Sequence, residues 1–240
     1  MARPARRRDQ RGAALILLLL LLGLAGAGLL MAAYGQRSNQ LQRRQQTLTQ
    51  LAEAREALLG FAAQYGRLPR PALSALDGQE AAQACSDGAA CSGYLPWVTL
   101  GLPAGDAWGK LLRYSVAPAM TTSPVTAVLA VADRRLLGRD RRGAVVPQSG
   151  QEHCSVDTPC AAALLLSSGR NLGTSVYGIA QGNDGLANSD EQYNNNQGAD
   201  FLSRAATDDP RAAGGEFDDL VLAVDVRRLY QRMNAAGMLK

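Results

Sequence analysis

The sequence predicts an α+β protein, with one long N-terminal helix packed on a small antiparallel β-sheet. Three observations predict it. Residues 13–36 carry no charge at all. The chain then keeps a helical apolar periodicity, with no proline before Pro69. Past residue 93 this gives way to short apolar runs bounded by turn residues, as in the strands of a small sheet.

The charge-free stretch follows a basic leader. Arg3, Arg6, Arg7, Arg8 and Arg11 against Asp9 account for the whole net charge of +4. The rest of the chain is neutral, so no nucleic-acid footprint is expected. A helix needs about 20 residues to cross a bilayer, and the 24 residues of 13–36 exceed that. Ten leucines and an isoleucine lie between Leu15 and Leu30. At about −0.5 kcal/mol each they favour insertion by roughly 5 kcal/mol. The arginines ahead of the span hold the N-terminus in the cytoplasm and send the remainder outward.

Residues 37–66 continue the helix in amphipathic form. Leu41, Leu48, Leu51, Leu58 and Phe61 share one face with Ala54, Ala62 and Tyr65, while Arg37, Arg43, Arg44, Glu53, Arg55 and Glu56 take the others. Such a one-sided stripe calls for a globular head to pack on, or for a helical stalk that dimerises. Gly66, ahead of Pro69 and Pro71, is the expected end of the helix.

In the head, LLRYSVA (111–117), VTAVLAVA (125–132), AAALLLSS (161–168) and FDDLVLAV (217–224) read as strands. The basic run DRRLLGRDRRG (133–143) reads as a solvated turn, and residues 169–215 as a long polar loop. Asp225 caps a short C-terminal helix in which Val226, Leu229, Tyr230 and Met233 share a face.

Four cysteines occur in two identical spacings, CSDGAAC (Cys85, Cys91) and CSVDTPC (Cys154, Cys160). Three connectivities are possible; the two local bridges are the easiest to close, and an exported domain suits them. Zinc is disfavoured, because C-x5-C is wider than usual ligand spacing and His153 is the only histidine. With no G-x-S-x-G, Walker loop or HExxH, an enzyme is not expected. Oxygen ligands are concentrated in GNDGLANSDEQYNNNQGAD (182–200), and Asp218 and Asp219 follow in FDDL. Calcium takes six to eight oxygens, although no EF-hand register is present.

A basic leader ending in glycine, an uncharged helix turning amphipathic and a small sheet domain together resemble type IV pilin-like proteins, including type II secretion pseudopilins. The segments LAEAREALLGFAAQYGRLPRP, YLPWVTLGLPAGDAWGKLLRYSV, LLLSSGRN and EFDDLVLAV resemble parts of bacterial prepilin-like proteins. DAWGKLLRYSV is similar to the D-P-W-G-N-P-Y-x-Y segment of major pseudopilins, with Ala107 in place of Pro.

The resemblance implies a prepilin peptidase cut between Gly12 and Ala13, with methylation of the new Ala13 amine. It divides the chain into a leader (1–12), an assembly half-helix (13–36), an amphipathic half-helix (37–66) and a periplasmic head (67–240). Two positions depart from the family: Ala13 replaces the usual Phe, and Leu17 stands where a Glu is usual. In a filament that carboxylate pairs with the neighbouring subunit's N-terminal ammonium. Its loss implies a minor, tip or priming subunit, since a tip subunit has no amine above it to match.

Major pseudopilins hold Ca²⁺ near acidic residues close to the C-terminus, so Asn171, Asp218 and Asp219 are the ligands implied here. Asp200 and Asp184 are added on composition alone. The expected partners are other pilin or pseudopilin subunits, the prepilin peptidase and an inner-membrane assembly platform. The expected location is the bacterial inner membrane, with the head periplasmic, and then a pilus or pseudopilus. The rival expectation is a periplasmic calcium- or ligand-binding domain on an uncleaved signal anchor.

Overall fold

A computed structural model describes residues 10–148, 152–182, 187–195 and 198–240; the side chains of residues 10–14 and 32–33 are left aside. Most of the leader and Asp184 lie outside the described residues, as do the side chains of Gly12 and Ala13. The chain is α+β and divides into two compact units, Met1–Arg44 and Gln45–Lys240.

A single helix, α1, runs from Gln10 to Tyr65. From Leu15 to Met31 its large apolar side chains are 59–77% exposed. Its most apolar 18-residue window has a mean hydropathy of 2.7 with nothing buried, so the helix is long and apolar enough to cross a membrane. Gly66 ends α1 as the sequence predicts. It takes a left-handed φ of 69°, and its N–H closes on the Ala62 carbonyl at 2.9 Å.

The predicted apolar stripe is buried only in part. Leu51, Ala54, Leu58 and Ala62 enter the core, joined by Leu59 from outside the stripe, whereas Leu41 is 67% exposed, Leu48 and Tyr65 are also exposed, and Phe61 is half-buried. Leu41 belongs to the first unit. The packed section begins at Thr47, which is buried and accepts a hydrogen bond from the Ala107 N–H at 3.2 Å.

The main sheet has four antiparallel strands in the order β1 (Ser92–Tyr94), β2 (Arg113–Val116), β5 (Ala161–Ser167) and β9 (Leu220–Asp225). β5 is apolar from Ala161 to Leu166 because both of its faces are covered. Ala163 and Leu165 join the core with Leu58, Tyr114 and Leu229, while Leu164 and Leu166 pack with Phe201. A three-stranded sheet joins β4 (Val145–Pro147), β3 (Leu136–Arg139) and β8 (Phe201–Leu202), with β3 and β8 parallel. β6 (Gly173–Thr174) and β7 (Ala180–Gln181) form a small hairpin. The helices α2 (Trp97–Leu100), α3 (Ser189–Asn195) and α4 (Val226–Ala235) complete the elements. Asp225 caps α4 by accepting from the Arg228 N–H at 2.9 Å.

Several expectations are corrected. Residues 125–132 form an irregular segment with one turn, at 127–129, rather than a strand. Their backbone is taken by other partners: Val125 N–H donates to Gly66 O, and Ala127 N–H to Lys240 O. Val128 and Leu129 stay exposed. The last strand begins at Leu220, which leaves residues 217–219 ahead of it.

Residues 169–215 hold β6, β7, α3 and β8. The 133–143 run contains β3, and three of its five arginines form ion pairs, Arg134 with Asp133, Arg135 with Asp200 and Arg139 with Asp190, while Arg141 and Arg142 stay exposed. Both disulfides are local, Cys85–Cys91 and Cys154–Cys160. All four cysteines are thereby used, which removes cysteine as a zinc ligand.

Candidate metal centre

Register brings the candidate residues together. Ser167 pairs with Leu220 across β5 and β9. Continuing that antiparallel register one step sets Ser168 opposite Asp219, and a second sets Gly169 opposite Asp218. The segments SSGRN and FDD, far apart in sequence, therefore meet at one end of the sheet.

The loop after β5 cradles Asp218. Arg170 N–H donates to both carboxylate oxygens, at 3.1 and 3.0 Å, and Asn171 N–H reaches Oδ1 at 3.4 Å. Gly169 makes this fit possible. It has φ +50°, and a Cβ there would lie 2.2 Å from Asp218 Oδ1.

α3 contributes a residue that sequence reasoning missed. Glu191 is buried, and its carboxylate accepts from Asp218 N–H at 2.7 Å and from Asn171 Nδ2 and Asn188 Nδ2 at 3.0 Å each. Glu191, Asp218 and Asp219 each place an oxygen within 4.8 Å of the others. Asp219 is 4% exposed; Oδ2 accepts from Asn194 Nδ2 at 2.8 Å, while Oδ1 has no partner. Ser168, 1% exposed, likewise has an unpartnered Oγ.

The electrostatics follow from burial. Desolvation raises the pKa of Glu191 and Asp218 and pushes Asp219 well above the ordinary carboxylate range. Hydrogen bonds from Asn188 to Glu191, from the Arg170 N–H to Asp218 and from Asn194 to Asp219 work in the opposite direction. Three carboxylates, one of them with a buried oxygen that has no hydrogen-bond partner, could hold a metal ion that prefers oxygen ligands.

The chain has no significant match to any family model, curated protein or solved structure.

Of the residues expected to bind metal, the structure brings Asn171, Asp218 and Asp219 together and separates Asp200. That carboxylate accepts from the Arg135 backbone N–H at 2.8 Å and from its guanidinium at 2.7 Å. It fastens β8 to β3 instead. Asp190, next to Glu191 in sequence, is also withdrawn from the cluster. Burial would raise its pKa, but Arg139 and Arg204, at 2.5 and 2.7 Å, hold it below the ordinary value.

The DAWGK segment is tied to the end of β5 next to the site. Asp106 Oδ1 accepts from Trp108 and Lys110 N–H at 2.9 Å each, and Ser167 Oγ donates to Oδ2 at 2.5 Å. A cleft of about 550 Å³, lined in part by Arg70, Glu80 and Cys85, shares no residue with the cluster. Its Glu80 is already held by Arg67 at 2.7 Å.

Proposed function

We propose that this chain is a minor pilin-like or pseudopilin-like structural subunit, cut after Gly12 and methylated at Ala13. The observation that carries the reading is α1 itself. One helix joins an apolar, uncharged and exposed section to a section whose Leu51, Leu58 and Leu59 are core residues of the sheet domain. An ordinary anchor has no need of that second section. A helix that must pass from lipid into a filament core while carrying a folded head has need of both.

The exchange is close to neutral, because lipid and a helical core are similarly apolar; close packing has to supply the drive. Gly23, Ala25, Gly26, Ala27 and Gly28 favour close approach, and a Cβ at Gly23, Gly26 or Gly28 would meet nothing within 4 Å. Leu17, in place of the family's usual Glu, needs no ammonium partner and suits a tip or priming position. The subunit waits in the inner membrane with its head periplasmic and works with other pilin subunits, the prepilin peptidase and the assembly platform. In this reading the head performs no chemistry, and the cluster of Glu191, Asp218 and Asp219 takes Ca²⁺ to fix the loops around α3.

Gly12→Ala tests the processing step in cells expressing the cognate peptidase. The variant should insert in the membrane but keep its leader, migrating above the processed wild type. Normal processing of Gly12→Ala would count against the proposal. The rival, a calcium- or ligand-binding domain on an uncleaved anchor, draws on the same acidic cluster and predicts an intact Met1.

A further inference from the structure

Beside the three carboxylates lies a buried cation. Lys110 follows the Asp106-capped turn and is 1% exposed. An ammonium has three N–H donors. Lys110 Nζ donates to the Ser168 carbonyl at 3.2 Å and to the Gly169 carbonyl at 2.6 Å. Those carbonyls belong to the segment that wraps Asp218, where Gly169 abuts the carboxylate and Arg170 and Asn171 N–H groups donate to it. Lys110 and the acidic cluster therefore grip the same few residues of backbone.

A buried ammonium is costly unless opposite charge compensates it. Its hydrogen-bond acceptors here are neutral carbonyls, so compensation comes through space. Burial lowers the Lys110 pKa, and the fields of Asp218, Asp106, Asp219 and Glu191 oppose that shift. Ser168 offers a second feature: its carbonyl is taken by Lys110 while its buried Oγ is left without a partner. The same residue thus faces a resident cation through its backbone and keeps a buried, unpartnered oxygen on its side chain.

We propose that Lys110 is the built-in counter-cation of the Glu191, Asp218 and Asp219 cluster, holding carbonyls that a divalent ion would otherwise use, so that the ion binds only in competition with it. This rests on the calcium reading above and adds its regulation. With Lys110 in place the loops have a positive charge to fold around without metal. Without it, three carboxylates and two carbonyls are left for the ion alone.

The test uses the full chain in detergent, with melting followed in EGTA and across a calcium titration for wild type, Lys110→Met, Asp218→Asn and the double variant. Lys110→Met should melt lower in EGTA, recover with calcium, and bind with a midpoint about tenfold lower than wild type. Asp218→Asn should relieve part of the Lys110→Met loss, so that the two effects are not additive. A wild-type calcium midpoint in Lys110→Met, or a loss that is additive with Asp218→Asn and unaffected by calcium, overturns the proposal. Lys110→Arg keeps a buried cation and should keep the wild-type midpoint; a tenfold gain there would also overturn it. Absence of any calcium response in wild type and Lys110→Met retires the calcium reading and the competition, while non-additivity in EGTA would still support the counter-cation.

Discussion

Asp219→Asn perturbs a buried carboxyl that burial holds well above its ordinary pKa. The side chain is nearly fully buried; one oxygen is hydrogen-bonded to Asn194, and the other has no partner although Glu191 and Asp218 lie close by. Asparagine keeps an acceptor for Asn194, removes one negative charge from the cluster and places an amide donor where the orphaned oxygen was. An unsatisfied buried polar group costs about 1–3 kcal/mol. The variant is therefore expected to gain about that much stability at neutral pH without metal. For a chain of this size 1 kcal/mol is worth about 2–4 °C, so the melting temperature should rise by about 2–12 °C.

The pH dependence has a definite sign. The folded carboxyl of Asp219 titrates well above the unfolded value of about 3.9, so above that pH the folded state binds more protons than the unfolded one. The stabilisation this provides is complete below about pH 4 and is lost as pH rises through the folded pKa. Glu191 and Asp218, also raised, add to the same fall. Thermal melting of the full chain in detergent from pH 4 to 8, in EGTA, should show wild type losing stability with pH and Asp219→Asn losing less. Calcium should oppose the fall in wild type and act weakly on the variant. An Asp219→Asn protein that melts below wild type in EGTA at pH 7 would refute the reasoning, since the carboxylate would then be a needed acceptor.

Other variants probe the remaining links. Leu58→Ala opens a cavity where α1 meets the sheet and should cost about 2–5 kcal/mol, whereas the exposed Leu41→Ala should change head stability by less than about 0.5 kcal/mol; urea denaturation followed by tryptophan fluorescence compares them. Gly169→Ala places a methyl against the Asp218 carboxylate at a left-handed backbone position and should lower both melting temperature and calcium response; an unchanged response would detach the 168–171 loop from the metal site. Arg139→Ala leaves the buried Asp190 with Arg204 as its remaining ionic partner and should destabilise the protein by about 3 kcal/mol, less as pH falls and Asp190 takes a proton.

How much was legible in the sequence depends on how each residue is recognised. α1 was readable because an uncharged run followed by helical periodicity admits few other structures, and Gly66 ends it for a plain backbone reason. β5 was readable as a continuous apolar run, though only the structure shows that Leu164 and Leu165 serve different cores. Asp218 and Asp219 stood out by composition and Asn171 through resemblance; the structure brings the three together. Glu191 was missed because α3, SDEQYNN, has no apolar stripe: it buries Asp190, Glu191 and Asn194, residue types that normally mark a solvated face. The available hint was the acidic pair Asp190–Glu191 in the first turn of a short helix. Residues 125–132 misled for the opposite reason, since an apolar run without a neighbouring strand to pair with stays a loop. Lys110 reads in sequence as a surface lysine, and nothing local announces that its ammonium is buried against backbone carbonyls.

Intact-mass and N-terminal analysis of the native protein, purified from membranes or filaments, tests the central claim most directly. The account predicts a chain that begins with N-methylated Ala13 and retains the whole leucine-rich helix. A chain that still carries residues 1–12, or one that has lost the apolar section, would contradict it.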